Sequence, residues 1–211
     1  MEIVLQKIRG QLGGVVPLIE TRLMDLWMFG VDKISDPLLK NLVVALLEET
    51  IPWQFFVAPA ASSGKHHPVW QNMHGGLVRH TMEMCVLAPQ IASIYPELTD
   101  KDQKPTKEAM DIILAAIILH DSLKNGLPWG KWTIKNHHEV AANQWDEAAE
   151  KARLDDHTRD AVFEAIFWHA GRWTQYWDTD QMTPFAWVVH ITDMVTSAKE
   201  LETIYLPEED I

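Results

Sequence analysis

The sequence joins a histidine to an aspartate, His120 and Asp121, directly after the apolar run ILAAIIL at 113–119. Imidazole and carboxylate groups are both metal ligands. A buried segment that ends in two polar side chains must satisfy them, because an unpaired polar group in the protein interior costs free energy. Lys124 follows three residues later, one turn on from these two side chains. These residue types at this spacing make His120 and Asp121 candidate metal ligands.

Two further histidines fall on predicted inward faces of other helices. His80 lies inside the apolar stripe of the helix that follows HGGL, at a position where leucine would be the ordinary choice. In the helix predicted at 137–153, His138 shares a face with several alanines and Trp145. His137 lies about 100° round the same helix and is the weaker candidate.

His169 and Asp193 lie on the last two predicted helices. His169 flanks a core stripe in the final turn of its helix. Asp193 is in the middle of its helix, where a carboxylate has poor propensity and caps nothing. We predict that it lies on a small face beside a packing face of Trp187, Val188, Ile191, Met194, Val195 and Ala198.

Six potential ligands thus point inward from several helices: His80, His120, Asp121, His138, His169 and Asp193. Taken singly, an inward histidine is more often a hydrogen-bonded core residue, and a mid-helix aspartate is more often a surface ion-pair partner. Their coincidence favours a shared metal centre, which would satisfy all six at once. Imidazole and carboxylate without thiolate suit Mn, Fe, Co, Ni, Zn or Mg. Six ligands are too many for one catalytic ion with an open position, so we predict two ions, about 3.5–4 Å apart, that share a carboxylate.

Apolar residues recur at three- and four-residue spacing nearly throughout the chain, which predicts an all-α fold. A chain of 211 residues has room for one hydrophobic core. We expect one helical domain at 58–201, an N-terminal helical segment at 1–57 packed on it, and an acidic tail at 202–211. The predicted helices cover 2–12, 15–29, 36–50, 75–94, 106–121, 137–153, 156–170 and 183–201.

Two irregular segments interrupt this helical pattern, one between Thr50 and Met73 and the other at 124–136. Both are rich in glycine, proline and aromatic residues. Long ordered loops of this kind often line a functional site.

The formal net charge of −12 argues against a protein that binds a long stretch of nucleic acid, and favours a small or single-stranded substrate. The single cysteine, Cys85, excludes an internal disulfide. The first residues show no signal-peptide pattern, and every apolar run is too short to span a bilayer. We therefore expect a cytoplasmic protein without a membrane partner. The apolar stretch LMDLWMFG at 23–30 makes a homodimer an alternative to a monomer.

The motifs HGGLVRHT, ILHDSLKNG, NHHEVAA, FWHAG and HITDMVTS occur in an order that resembles the HD-domain superfamily of metal-dependent phosphohydrolases. The resemblance covers roughly residues 58–200. Within the superfamily, APAASSGKHHPVWQNMHGGLVRHT is similar to the HD domain of bacterial 3′-to-5′ exoribonucleases that join an OB-fold to an HD domain. The chain departs from that group twice, because the residues before 58 read as helices and Ala170 replaces a histidine. Tight or processive RNA binding is therefore not expected.

The resemblance implies a ligand set for each of two divalent ions, with Mn²⁺ as the expected metal. One ion would be held by His80, His120, Asp121 and Asp193. Asp121 would bridge to the second ion, held by His138 and His169. Catalytic roles fall to Asp121 and to Lys124, which matches the lysine that follows the family's His-Asp pair.

The resemblance also suggests substrate-binding residues, namely Lys124, Arg79, His67 and Arg172. For Arg79 a surface salt bridge is an equal alternative. His66 and His67 match a His-His pair of the exonuclease-like group, whereas loop histidines are usually solvated. Arg172 would clamp a nucleotide from a helix end.

The implied function is hydrolysis of a phosphodiester or phosphomonoester of a nucleotide or short oligonucleotide, with a metal-bridged hydroxide attacking the phosphorus in line. Such an enzyme would be a phosphodiesterase, nuclease or nucleotidase. Two alternatives stay open. Members of the same superfamily use an equivalent constellation as a di-iron oxygenase, and the lysine does not separate the two activities. A non-catalytic nucleotide-binding module is the other alternative, against which the complete ligand set argues.

Overall fold

The computed structural model describes residues 1–14, 17–173 and 178–199. These residues form α-helices, short 3-10 turns and one π-helical turn, and no β-sheet forms among them. The α-helices are α1 (Glu2–Leu12), α2 (Pro17–Phe29), α3 (Pro37–Ala45), α4 (Gly76–Ala92), α5 (Lys107–Leu119), α6 (His137–Ala152), α7 (Asp156–Trp168) and α8 (Pro184–Thr196). The predicted all-α fold is confirmed.

Capping residues explain where several helices begin. Each of four residues stands directly before a helix, and its side chain accepts a hydrogen bond from the backbone N–H three residues later. They are Asp36, Thr106, Asp155 and Thr183. The helix predicted at 36–50 is interrupted, because α3 changes into a π-helical turn at Leu46–Thr50 before Pro52 ends it.

Helix α5 runs through the middle of the bundle. No residue from Ile112 to Leu119 is more than 2 % exposed. Helices α4, α7 and α8 pack around it. The first three helices join the same apolar core, for example through Val4, Leu23 and Val43. This arrangement delivers the carboxyl end of α5, and the residues that follow it, into the interior.

The packing face predicted for α8 is partly wrong. Val188 is buried, but Met194 and Val195 are 40 % and 42 % exposed. Thr192 and Thr196 are buried instead. Their hydroxyl groups donate to the carbonyl oxygens one turn earlier, at 2.7 Å in both cases. Threonine therefore fills buried positions in α8 without an unpaired polar group.

Two properties of the described helices concern the expected membrane and dimer partners. The described helices include none that is long and apolar enough to cross a membrane. On α2, Met24 and Met28 are 49 % and 51 % exposed. This apolar surface is the basis of the homodimer prediction, which stays a prediction. The predicted acidic tail at 202–211 lies outside the described residues.

The irregular segment at 51–75 is anchored to the bundle by a buried arginine. Arg22 of α2 is 5 % exposed. Its guanidinium donates to the carbonyl oxygens of Trp70, at 3.1 Å, and His74. Burial lowers the pKa of Arg22, and the like charge of Arg79 adds to this effect. The loop is therefore held against α2 just before α4 begins.

Gly76, the first residue of α4, is required by a close backbone approach. A Cβ at this position would lie 1.7 Å from the carbonyl oxygen of Gln71. We expect Gly76→Ala to destabilise the protein by at least about 2 kcal/mol, because the loop and the helix would have to move apart. Thermal or denaturant unfolding measures this change.

Gly10→Ala is the matched control for this prediction. Gly10 also lies in a helix, and an added Cβ would meet nothing within 4 Å. The control should stabilise the protein slightly, by up to about 1 kcal/mol, because alanine is the better helix former. Equal unfolding free energies for the two variants would contradict the packing account.

Candidate metal centre

Six polar side chains converge at one point inside the bundle. They are His80 in α4, His120 and Asp121 at the end of α5, His137 at the start of α6, His169 at the end of α7, and Asp193 in α8. A histidine directly follows the last residue of α5 and of α7, and α6 begins with His137. Among the six, His80, His120, Asp121 and His169 are at most 2 % exposed.

Asp121 lies at the centre of this cluster. Its Oδ1 lies 3.3 Å from Nε2 of His137 and 3.7 Å from Nε2 of His169. Its Oδ2 lies 3.5 Å from Nε2 of His120 and 2.6 Å from Nζ of Lys124. Burial acts to raise the pKa of this carboxyl, but Lys124 and the imidazoles outweigh it and hold the pKa well below its ordinary value. The carboxylate is therefore ionised although it is buried.

Asp193 supplies a second carboxylate to the cluster. Its Oδ1 lies 3.0 Å from Nε2 of His80. Burial acts to raise the pKa of Asp193, but the interaction with His80 outweighs it and lowers the pKa. Nearby, His190 donates from Nδ1 to the carbonyl oxygen of His169 at 2.7 Å, which holds the end of α7 against α8.

Backbone carbonyl groups fix the tautomer of three of these histidines. The Nδ1 atom of each lies close to the carbonyl oxygen three residues earlier. These pairs are His120 with Ile117 at 2.6 Å, His169 with Ile166 at 2.6 Å, and His137 with Ile134 at 3.0 Å. Because a carbonyl oxygen can only accept, Nδ1 carries the proton in the neutral ring. The Nε2 lone pair of each then faces the cluster.

His80 is oriented in the same way by a hydroxyl group. Thr196 donates its proton to the carbonyl oxygen of Thr192 at 2.7 Å. Its oxygen can therefore accept from Nδ1 of His80, which lies 3.4 Å away. With the proton on Nδ1, a fourth Nε2 lone pair would be available to a cation in the cluster. Partners that orient histidines in this manner are common behind metal ligands.

Several donor atoms of the cluster are not satisfied by other described side chains. Nε2 of His80, Nε2 of His120 and Oδ1 of Asp121 are buried and have no hydrogen-bond partner among the described residues. Nε2 of His137 and Nε2 of His169 lie 3.3 Å apart, and with both protons on Nδ1 neither can donate to the other. Burial acts to lower the pKa of His169, but Asp121 outweighs it and raises the pKa, so a positive charge, from a proton or from a metal ion, is favoured beside Nε2. The donor set therefore fits a divalent metal, which would satisfy these lone pairs.

Within the described part of the chain, three groups of donor atoms are compact enough to hold a metal ion, with all ligand atoms of a group within 4.8 Å of one another. The groups are His80 with His120 and Asp121, His120 with His169 and Asp193, and Asp121 with His137 and His169. Asp121 belongs to two of them. Its carboxylate could therefore contribute to two neighbouring metal sites.

Comparison with known protein families identifies the bundle that carries this cluster. The family model described as HD domain matches residues 77–198, which include all six residues of the cluster. The chain belongs to the HD-domain family. HD domains are generally metal-dependent hydrolases. Comparisons with curated proteins and with solved structures gave no match.

This HD domain brings His137, rather than His138, next to Asp121. His138 is 2 % exposed and packs edge-on against Phe167, with ring centroids 5.6 Å apart. Neither of its ring nitrogens has a hydrogen-bond partner in the described residues. Its closest carboxylate is Glu139, at 3.8 Å. Among the residues predicted as ligands, His138 is therefore the one that the structure does not place in a metal-sized group.

A cavity of about 610 Å³ opens onto the cluster. Asp121 and Asp193 contribute to its wall, together with three lysines, Lys65, Lys124 and Lys199. Both irregular segments reach the cavity, the first through Lys65 and the second through Lys124. Lys65 and Lys199 were not predicted, because Lys65 lies in an irregular segment and Lys199 in a helix predicted at 183–201 that ends at Thr196 in the structure.

Only two of the residues expected to bind substrate line this cavity, Lys124 and His67. Arg79 points elsewhere, since its Nε lies 2.7 Å from Oε1 of Glu83 one turn along α4. Arg79 therefore forms a salt bridge, which was the alternative to substrate binding. Arg172 is exposed and is not among the described residues that line the cavity.

His138 should make the metal-free HD domain sensitive to acid. Burial lowers the pKa of His138 from 6.5 to about 4. Between these values the unfolded chain binds a proton that the folded protein excludes, so stability falls as the pH drops through this window. His138→Leu should remove this contribution, which amounts to at most roughly 3 kcal/mol.

The measurement is the unfolding free energy of chelator-treated protein from pH 7 to pH 4.5. The difference between His138→Leu and the parent protein should grow in favour of the variant as the pH falls. His157→Asn is the control, because the side chain of His157 is 64 % exposed. If the unfolding free energy of His138→Leu changed with pH in parallel with that of the parent protein, His138 would not contribute to the acid sensitivity.

Proposed function

We propose that this protein is a metal-dependent phosphohydrolase, a phosphodiesterase or nucleotidase, that hydrolyses nucleotides or short single-stranded oligonucleotides. The observation that carries the proposal is the position of Asp121. Its carboxylate lies between two groups of imidazole nitrogens and beside the ammonium group of Lys124, at the wall of an open cavity. A pair of metal sites next to a cation suits the charge of a phosphate ester.

Two divalent ions would bind in this cluster. One would be held by His80, His120, Asp121 and Asp193, and the other by Asp121, His137 and His169. Nitrogen and oxygen donors without thiolate suit Mn²⁺, the expected metal, and also accept Fe, Co, Ni, Zn or Mg. When bound, such ions neutralise phosphate charge and lower the pKa of a water molecule so that it can attack phosphorus.

The charge around the cavity supports an anionic substrate. The whole chain carries −12, yet residues 50–82 and 122–138 contain no aspartate or glutamate. These are the segments that bring Lys65 and Lys124 to the cavity wall. A basic mouth on an acidic protein focuses the electrostatic potential and draws anions to the site. The net charge therefore does not describe the charge that a substrate meets.

Lys124 is the residue best placed to contact the substrate phosphate. Its Nζ lies 2.6 Å from Oδ2 of Asp121, and the side chain is 14 % exposed. An ammonium group has three N–H donors. One can hold Asp121 in place while another donates to a phosphate oxygen. The fixed positive charge then stabilises the negative charge that develops in the transition state.

The size of the cavity supports a nucleotide or the end of a strand. Its volume of about 610 Å³ lies within the range of small-molecule sites, roughly 300–1,000 Å³. The motif resemblance to the HD domains of 3′-to-5′ exoribonucleases favours a phosphodiester in single-stranded RNA among such substrates. Ala170, at the cavity wall in place of that group's histidine, marks where substrate contacts would differ.

Lys124→Met should lower kcat/KM for phosphate ester hydrolysis by about 100-fold or more, because a charge aimed at the transition state is lost. The assay uses Mn²⁺ with cyclic nucleotides, nucleoside mono- and triphosphates, and short RNA and DNA oligomers. Lys107→Met is the matched control. Lys107 is exposed at the opposite end of α5 from the cluster, and its loss should leave the rate unchanged.

Asp121→Asn provides the decisive second variant. This variant should bind less metal and should hydrolyse no substrate of the panel. Treatment with a chelator should abolish the hydrolytic activity of the parent protein. If Asp121→Asn and the parent protein hydrolyse the panel equally, the proposed function is wrong. Bound iron with oxygen-dependent turnover and no phosphate release would support the di-iron oxygenase instead.

A further inference from the structure

His67 is a buried histidine held in an unusual backbone conformation at the edge of the cavity. Its φ is 74°, in the left-handed region that residues other than glycine rarely adopt. The carbonyl oxygen of His67 accepts a hydrogen bond from Nδ2 of Asn72 at 2.9 Å, which fixes the backbone. The ring packs edge-on against that of His80, with centroids 4.9 Å apart. Strained residues held in this way are often functional.

Gln71 is hydrogen-bonded to the ring of His67, and its other hydrogen bonds allow only one orientation of its side-chain amide. Gln71 is 0 % exposed. Its amide nitrogen donates to Oε2 of Glu83 at 2.5 Å and to the carbonyl oxygen of Thr196 at 2.9 Å. An ionised carboxylate and a carbonyl can only accept, so the amide nitrogen must face them. The amide oxygen must therefore face Nδ1 of His67, which lies 2.7 Å away.

This chain of hydrogen bonds sets the chemistry of the remaining nitrogen of His67. Because Oε1 of Gln71 accepts, Nδ1 of His67 carries the proton, and Nε2 of the neutral ring keeps a lone pair. No described residue donates to Nε2, and His67 belongs to none of the three metal-sized groups. The ring lines the cavity. Nε2 therefore calls for a hydrogen-bond donor, which a phosphate oxygen cannot provide.

We propose that Nε2 of His67 accepts a hydrogen bond from a sugar hydroxyl group next to the scissile phosphate, and that Gln71 is the positioning residue that makes it an acceptor. The proposal rests on the proposed function, which places the phosphate at Asp121 and Lys124. Both of these residues line the same cavity as His67. In a nucleotide, the hydroxyl groups of the sugar are the donors nearest to the phosphate. His67 thus selects ribose over deoxyribose.

The first test observes the tautomer and does not depend on any activity. Protein labelled with ¹⁵N at histidine is studied by long-range ¹H–¹⁵N correlation NMR at neutral pH. His67 should carry its proton on Nδ1 in the parent protein. Gln71→Met, which keeps the length of the side chain without its polar atoms, should lose this preference. A proton on Nε2 of His67 in the parent protein would overturn the proposal.

The second test measures substrate preference as the ratio of kcat/KM for a ribonucleotide and for its 2′-deoxy and 3′-deoxy counterparts. In the parent protein, we expect kcat/KM for at least one deoxy substrate to be about tenfold lower than for the ribonucleotide. The reason is that the deoxy substrate leaves a hydrogen-bond acceptor of the site unpaired. His67→Asn and Gln71→Met should bring the ratio close to one. Asparagine tolerates the left-handed conformation better than other residues do, so the backbone should be retained.

His157→Asn is the matched control and should keep the parent ratio. A ratio that is unchanged in His67→Asn would overturn the proposal, as would an equal loss on all substrates, which indicates a purely structural role. If the parent protein hydrolyses no phosphate ester, the proposed function has failed. The same ratio is then taken from the affinities of a ribonucleoside monophosphate and its deoxy counterparts in calorimetry, and a ratio of one there would overturn the role of His67.

Discussion

The carboxylate of Asp121 is 2 % exposed, and its two oxygens lie 2.6–3.7 Å from one ammonium and three imidazole nitrogens. A buried charge of this kind is costly unless several partners compensate it. Helices α5 and α7 end beside this carboxylate and helix α6 begins there, so the residues at these helix ends supply the partners. Backbone carbonyl groups accept from Nδ1 of these three rings, so that with a cation in the cluster the Nε2 lone pairs would be free to bind it. An interior arranged in this way would be stabilised by bound cations, which is how the fold would support metal-dependent chemistry.

The surrounding parts of the molecule follow from the same constraint. The loop at 51–75 must lie close to α4, which Gly76 permits and Arg22 maintains. That proximity brings Oε1 of Gln71 within 2.7 Å of Nδ1 of His67 and brings Lys65 to the cavity. The two segments around the cavity carry no acidic residue, although the chain as a whole is strongly acidic. Lys65, Lys124 and Lys199 thus reach the cavity wall beside the metal-sized groups.

The helices and most of the cluster could be predicted from the sequence because both depend on periodicity. His80 interrupts an apolar stripe, and His120 with Asp121 ends one, so each is visible as a polar residue at a buried position. His137 could not be chosen in this way. It is the first residue of α6, and the direction of its ring is set by the carbonyl oxygen of Ile134 in the preceding loop, not by helical phase.

Other features could not be predicted from the sequence for related reasons. The buried face of α8 continues through Thr192 and Thr196, whose hydroxyl groups are satisfied within their own helix and leave no apolar signal. Gln71 is an ordinary polar residue of an irregular segment until Glu83 and Thr196 are seen to force its amide. Residues whose role depends on contacts between distant segments need the folded structure to be recognised.

The location of bound metal tests the central claim most directly. Anomalous diffraction from crystals of the protein grown with Mn²⁺ would show where ions bind. The account predicts two peaks that share the carboxylate of Asp121, one within ligand distance of His80 and His120, the other within ligand distance of His137 and His169. Peaks away from Asp121, a peak coordinated by His138 in place of His137, or no metal at all at saturating Mn²⁺ would contradict it.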